Sequence, residues 1–105
     1  LPVYAEEKTR EVSRYAGELK ESSATLLKNA QNISQRELLI YIGVVSNLLL
    51  QSPDEIDLSF DIRNLLDFKP GSENAKIWED LLDSDMVQTQ KVLSSLRSLK
   101  SILGD

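Results

Sequence analysis

Neither cysteine nor histidine occurs in this 105-residue chain. Their absence removes thiol catalysis, a disulfide framework, the usual zinc and haem ligands, and imidazole acid–base chemistry near neutral pH. Aromatic residues are scarce at 6% and comprise Tyr4, Tyr15, Tyr41, Phe60, Phe68 and Trp78, so the core must be built from leucine, isoleucine and valine. Basic residues are outnumbered 12 to 17, for a net charge of −5. No dense basic patch offsets this. The nearest, Lys91, Arg97 and Lys100, sits where cations also suit a helix C-terminus. Nucleic acid and anionic membrane surfaces are therefore poor partners. No uninterrupted apolar run approaches the ~18–20 residues of a bilayer span. The richest stretch, Leu38 to Leu50, contains Gly43, Ser46 and Asn47 and reads as a buried helix.

What is present is helical. With 41% hydrophobic and 28% charged residues, the composition is globular rather than disordered. The length suits one domain with its own core. The chain begins Leu1-Pro2 rather than Met, the expected start of a processed product or an excised fragment.

Val12, Tyr15, Ala16, Leu19, Leu26, Leu27 and Ala30 recur at three- and four-residue steps, which predicts a helix over about 6–30. Glu6–Arg10 and Arg14–Glu18 are spaced as i,i+4 pairs on its wet face. Gly17 and Ser22-Ser23 mark a break point. Ser34-Gln35-Arg36-Glu37 has the capping-box pattern, with Ile33 as hydrophobic staple, and opens a helix over about 35–51. There Leu38, Tyr41, Ile42, Val45, Leu48 and Leu49 form one face, while Leu39, Ile40, Val44 and Leu50 fill much of the rest. A helix apolar nearly all round is central, or covered by a partner.

Ser52-Pro53-Asp54-Glu55 reads as a second helix start. Ile56, Leu58, Phe60 and Ile62 then alternate as a strand would, yet Leu58, Ile62, Leu65 and Leu66 also form a helical stripe. No second strand is available to pair, so helix over about 53–67 is expected. A turn at Lys69-Pro70-Gly71-Ser72 precedes a short helix, about 73–82, holding Ile77, Trp78, Leu81 and Leu82. Asp83-Ser84-Asp85 interrupts it or caps a last helix, about 85–103, whose stripe is Met86, Val92, Leu93, Leu96, Leu99 and Leu103 and whose stop is Gly104. The expected fold is all-α: a small bundle of four main helices, five or six if breaks fall near Gly17 and Ser84.

Carboxylates are the plentiful reactive groups, with Asp54, Glu55, Asp57 and Asp61 in one segment. Interleaved Ile56, Leu58 and Phe60, with neither a glycine nor a closing Glu, do not make a calcium loop. No catalytic, cofactor-binding or metal-ligating residue is assigned. Asn32-Ile33-Ser34 matches the N-glycosylation sequon, which makes Asn32 a candidate acceptor; the same residues also suit an ordinary turn and cap. Trp78, Tyr41, Leu39 and Val44 are the candidate interaction or anchor residues. Trp78 is expected to pin a short helix to the core, and Tyr15 and Tyr41 to be core residues with hydroxyls at the rim.

Asn64-Leu65-Leu66, the Pro/Gly turn, Ile77-Trp78-Glu79-Asp80-Leu81, and Val87 to Leu103 with Leu93, Leu96 and Leu99 together resemble helical subdomain A of the GAIN domain of adhesion G-protein-coupled receptors. The helix from Ile33 to Leu50 is similar to the one preceding in that subdomain, so the likeness spans the last 70 residues or so. It implies an extracellular helical supporting module packed on a neighbouring domain, with Trp78 as a structural anchor. The family's self-cleavage lies in a β-rich subdomain, at a His-Leu-Thr/Ser tripeptide that this chain lacks, so no cleavage chemistry carries over.

The reading is a non-enzymatic module working by protein–protein contact, with a protein partner or neighbouring domain, no cofactor and no membrane insertion. A homodimer through the 38–50 helix is compatible with it. The alternative is a cytoplasmic adaptor whose groove beside that helix accepts a partner helix. A carrier of apolar small molecules would need an internal cavity. An enzyme would need carboxylates converging in a cleft.

Overall fold

Helix-forming leucine stripes separated by capping residues divide the chain into five helices. The structure, a computed structural model, describes residues 3–54 and 57–104, with side chains from residue 6 onward. The helices are α1 (Val3–Lys28), α2 (Ile33–Gln51), α3 (Leu58–Leu66), α4 (Glu73–Ser84) and α5 (Met86–Leu103). No strand occurs among the described residues. The fold is all-α, as expected, with five helices.

α1 runs unbroken through Gly17 and the serine pair. Val12, Ala16, Leu19 and Leu26 are buried on its inner face. Burying one large aliphatic side chain stabilises by about 1.5–3 kcal/mol, more than the ~1 kcal/mol that a helical glycine costs. Ser22 and Ser23 are buried as well, and the Ser23 hydroxyl donates back to the Lys20 carbonyl at 3.1 Å. Arg14 forms no pair with Glu18; its guanidinium lies over the Tyr15 ring, 4.5 Å from the centroid.

α2 starts two residues earlier than the Ser34 capping box predicts. Asn32 is the N-cap: its Oδ1 accepts the Gln35 amide at 2.9 Å, and Gln35 Oε1 accepts the Gln31 amide at 2.8 Å. The pair resembles a capping box, with Gln35 reaching the amide before the cap rather than that of Asn32 itself, and it lets Gln35 be buried with its side-chain oxygen satisfied. Ile33 becomes the first helical residue and is 73% exposed, so it is no staple.

α3 is helical over the stretch of ambiguous periodicity, though Ile56 and Glu55 lie outside the described residues. It begins at Leu58 rather than 53, because Pro53 and Asp54 form a turn. Leu58, Ile62 and Leu65 face inward. Between α3 and α4 the Ser72 amide donates to the Lys69 carbonyl at 2.9 Å. Gly71 has φ 81°, which fits Pro-Gly at the centre of a type II turn. Ser72 then caps α4 by accepting the Ala75 amide at 3.2 Å.

The corner from α4 to α5 is tight because Asp85 serves both helices, ending α4 and capping α5 by accepting the Gln88 amide at 3.1 Å. The Leu81 carbonyl gathers three donors there: the Asp85 amide at 3.0 Å, the Ser84 hydroxyl at 2.9 Å and the buried Thr89 hydroxyl at 2.8 Å. Met86, expected on the α5 core stripe, is 65% exposed, since it is the first helical residue and sits above the packed turns.

α1 packs along both α2 and α5, while α3 and α4 pack on α5 and reach across to α2. The core therefore lies inside four walls: α1, α2, α5, and a fourth made jointly by α3 and α4. One aliphatic cluster fills it, with Trp78 as its aromatic member. The molecule measures 44 × 26 × 19 Å.

Candidate functional site: the outward face of α2

α2 is one wall of the bundle, so half its circumference points away from the core. Leu38, Leu39, Ile42, Val45 and Leu49 point inward and are buried. On the opposite side lie Ile33, Ile40, Val44 and Leu48, which are 73%, 49%, 50% and 43% exposed. They follow one another at helical spacing and span about 22 Å at 1.5 Å per residue. Exposed Arg36 and Glu37 both fall between Ile33 and Ile40, Glu37 on the side toward Tyr41. Ile40, Val44 and Leu48 follow at successive four-residue steps on one face of an acidic chain, an arrangement unlike scattered single exposures; Ile33 lies two turns before them.

Tyr41 and Leu48 depart from expectation. Periodicity puts both on the core face, yet Tyr41 is 42% and Leu48 43% exposed. The inward arc is narrower than the apolar pattern implies, and Leu39 takes the buried place at 1% exposure. Leu39 is therefore a core residue, whereas Val44 stands at the middle of the outward stripe. Tyr41 sits at its edge, with the carboxylate of Asp61 on α3 near its hydroxyl. Burial first, then the neighbouring Asp61 carboxylate, raise the Tyr41 pKa above the ordinary 10.0.

Beside Tyr41 a groove of about 350 Å³ opens between α2 and the α3–α4 wall. Leu38, Leu65 and Ile77 contribute apolar lining, with Ser34, Glu37, Asn64, Glu73 and Asn74 around them. No lysine or arginine lines it. The Ser34 hydroxyl donates to Glu73 Oε1 at 3.4 Å, a long bond that leaves that carboxylate largely open to solvent.

Trp78 does not join this surface. It is 3% exposed, its indole N–H donates to the Leu65 carbonyl at 3.1 Å, and its ring lies 6.4 Å from that of Phe68. It ties α4 to the end of α3. Asn32 is exposed, and its cap uses Oδ1, which leaves the Nδ2 of the sequon amide outside that bond.

The carboxylates of the 54–61 segment do not converge. Asp61 turns to Tyr41, Asp57 stands at the α3 N-terminus, and Glu55 lies outside the described residues. Among the described residues no group of three acidic side chains is placed to hold a metal ion. A second groove, about 510 Å³ between α1 and α5, is lined by Glu18, Glu21, Ser22, Thr25, Gln88 and Lys91 among others, which does not suit an apolar cargo. Taken whole, α2 is long and apolar enough by length and composition to cross a bilayer, with a mean hydropathy of 1.3; a helix that forms part of a soluble core passes the same test.

Periodicity missed Ile33, Ile40 and Leu48 as surface residues, and Phe60 and Val87, both 64% exposed. The available signal was the all-round apolarity of α2, which requires either burial on every side or a bare face. No protein-family model matches the chain, and no curated protein or solved structure is significantly similar to it.

Proposed function

We propose that this protein is a non-enzymatic helical module that works by protein–protein contact through the outward face of α2. The observation that carries the reading is that Ile33, Ile40, Val44 and Leu48 are exposed on one face of one helix, whereas Phe60, Met86 and Val87 are exposed on other helices. A helix laid along such a stripe buries side chains at i, i+3, i+4 and i+7 spacing, a recurring mode of recognition. The resemblance to the helical GAIN subdomain makes an extracellular adhesion-receptor domain the proposed setting, with the α2 face packed on a neighbouring domain and Trp78 as internal anchor. An exposed Asn32 fits that setting. The second setting is a cytoplasmic adaptor using the same face.

The test is site-specific photo-crosslinking of the full chain in the cells that produce it, with benzoylphenylalanine at Val44 or, as a control, at exposed Glu79 of α4. The expected result is a product of discrete mass from position 44 alone, lost when Ile40→Ser and Leu48→Ser are added. No product, or equal products from both positions, overturns the reading.

A further inference from the structure

We infer that the occupant of the α2 face is a basic amphipathic helix, one whose apolar ridge is flanked by lysine or arginine. The inference rests on the α2 face being a contact surface and adds the partner's chemistry. The groove at the Tyr41 edge joins the apolar stripe through Glu37, which belongs to both. Glu37 and Glu73 line it without any basic side chain, and Asp61 adds a third carboxylate at Tyr41. A partner seated on Ile40 and Val44 partly desolvates these carboxylates, which carries a cost unless it supplies the opposite charge. A lysine or arginine projecting from the partner's flank meets Glu37 and Glu73 while its alkyl stem lies along the groove floor and the Tyr41 ring.

A second copy of the chain answers this less well. In a two-fold contact centred on Val44, Ile40 meets Leu48, but Glu37 meets Gln51. Arg36, the basic residue nearest the stripe, then falls at the far end, and each copy adds a net charge of −5. An anionic bilayer is disfavoured by the same carboxylates.

Two synthetic 18-residue helices test this, one of leucine and lysine and one of leucine and glutamate in the same pattern. Each is titrated into the ¹⁵N-labelled full chain by NMR. The expected result is that the lysine peptide shifts the amides of residues 33–48 and the groove, that raised salt weakens it, and that the glutamate peptide binds at least tenfold more weakly. Glu37→Gln with Glu73→Gln should weaken the lysine peptide about three- to tenfold, the range for two partly exposed ion pairs. Val44→Asp, checked for folding by circular dichroism, should abolish those shifts.

Equal binding of both peptides on the α2 face, with no effect of the glutamine variants, overturns the basic-partner inference while leaving that face as an interface. Shifts mapping elsewhere, or unchanged by Val44→Asp, overturn the inference as well. So does concentration-dependent dimerisation through α2 that excludes the lysine peptide. The crosslinking from position 44 stands or falls independently of all three.

Discussion

Replacing Trp78 by phenylalanine separates an anchor from a binding hot spot. Trp78 is 3% exposed and its N–H meets the Leu65 carbonyl at 3.1 Å. Leu65 lies in the last turn of α3, where carbonyls lack an intrahelical donor. Phenylalanine keeps one ring but removes the donor, leaving a buried acceptor unpaired at a cost of about 1–3 kcal/mol. The missing part of the indole adds about 1 kcal/mol of lost burial. The sum, about 2–4 kcal/mol, is a large share of the ~5–15 kcal/mol that holds a domain folded. It corresponds to a Tm lowered by roughly 10–20 °C at this chain length. Urea unfolding followed by far-UV circular dichroism reads this, since the variant has no tryptophan to report. A separate cycle of Trp78→Leu, Phe68→Leu and the double variant, each of which removes a ring, has an expected coupling of about 0.5–1.5 kcal/mol for the tilted ring pair. A loss below about 0.5 kcal/mol for Trp78→Phe, the level of an inert surface change, would refute the anchoring argument.

Asn32→Ala should cost about 1 kcal/mol through the lost cap, whereas Asn32→Asp, which retains a capping oxygen, should cost little; thermal melts distinguish them. Routed through the secretory pathway, the wild-type chain should gain glycosidase-sensitive mass that Asn32→Asp abolishes, and a secreted chain without it would count against the extracellular setting. Gly17→Ala should stabilise by about 0.5–1 kcal/mol, because a Cβ there meets no atom within 4 Å; chemical unfolding measures it. In a spectrophotometric titration Tyr41 should ionise above its ordinary 10.0, and Asp61→Asn should bring it down. A pKa raised by folding means that this tyrosine's contribution to stability is intact below about pH 10 and lost as pH rises through its folded value.

The all-helical character, most core stripes and most caps were legible because each rests on local chemistry, whereas the count of four main helices became five. Ser72, Asp85 and Gly104 act where propensity puts them. Three features were not. Asn32 and Ser34 are comparable N-caps, and the choice fell to whichever start lets Gln35 bury a satisfied oxygen, which depends on packing. The inward arc of α2 was equally hidden: ten apolar residues surround that helix, and only the positions of α1, α3 and α4 decide that Leu39 goes in and Leu48 stays out. The groove at Glu37 and Glu73 joins residues 36 positions apart, beyond the reach of any periodic pattern.

The shared fourth wall sets an order in which the molecule comes apart. α3 and α4 are short, they rest mainly on α5, and they are joined to each other by the Trp78–Leu65 bond. Local opening favours segments with few packed neighbours. Amides of α3 and α4 should therefore exchange with solvent hydrogen together, through a partial opening that leaves α1, α2 and α5 in place. The groove exists only while that pair is docked, and the apolar stripe of α2 persists without it. A ligand that fills the groove thus draws on the closed form alone, and its tightness becomes a gauge of how much of the time the wall is shut.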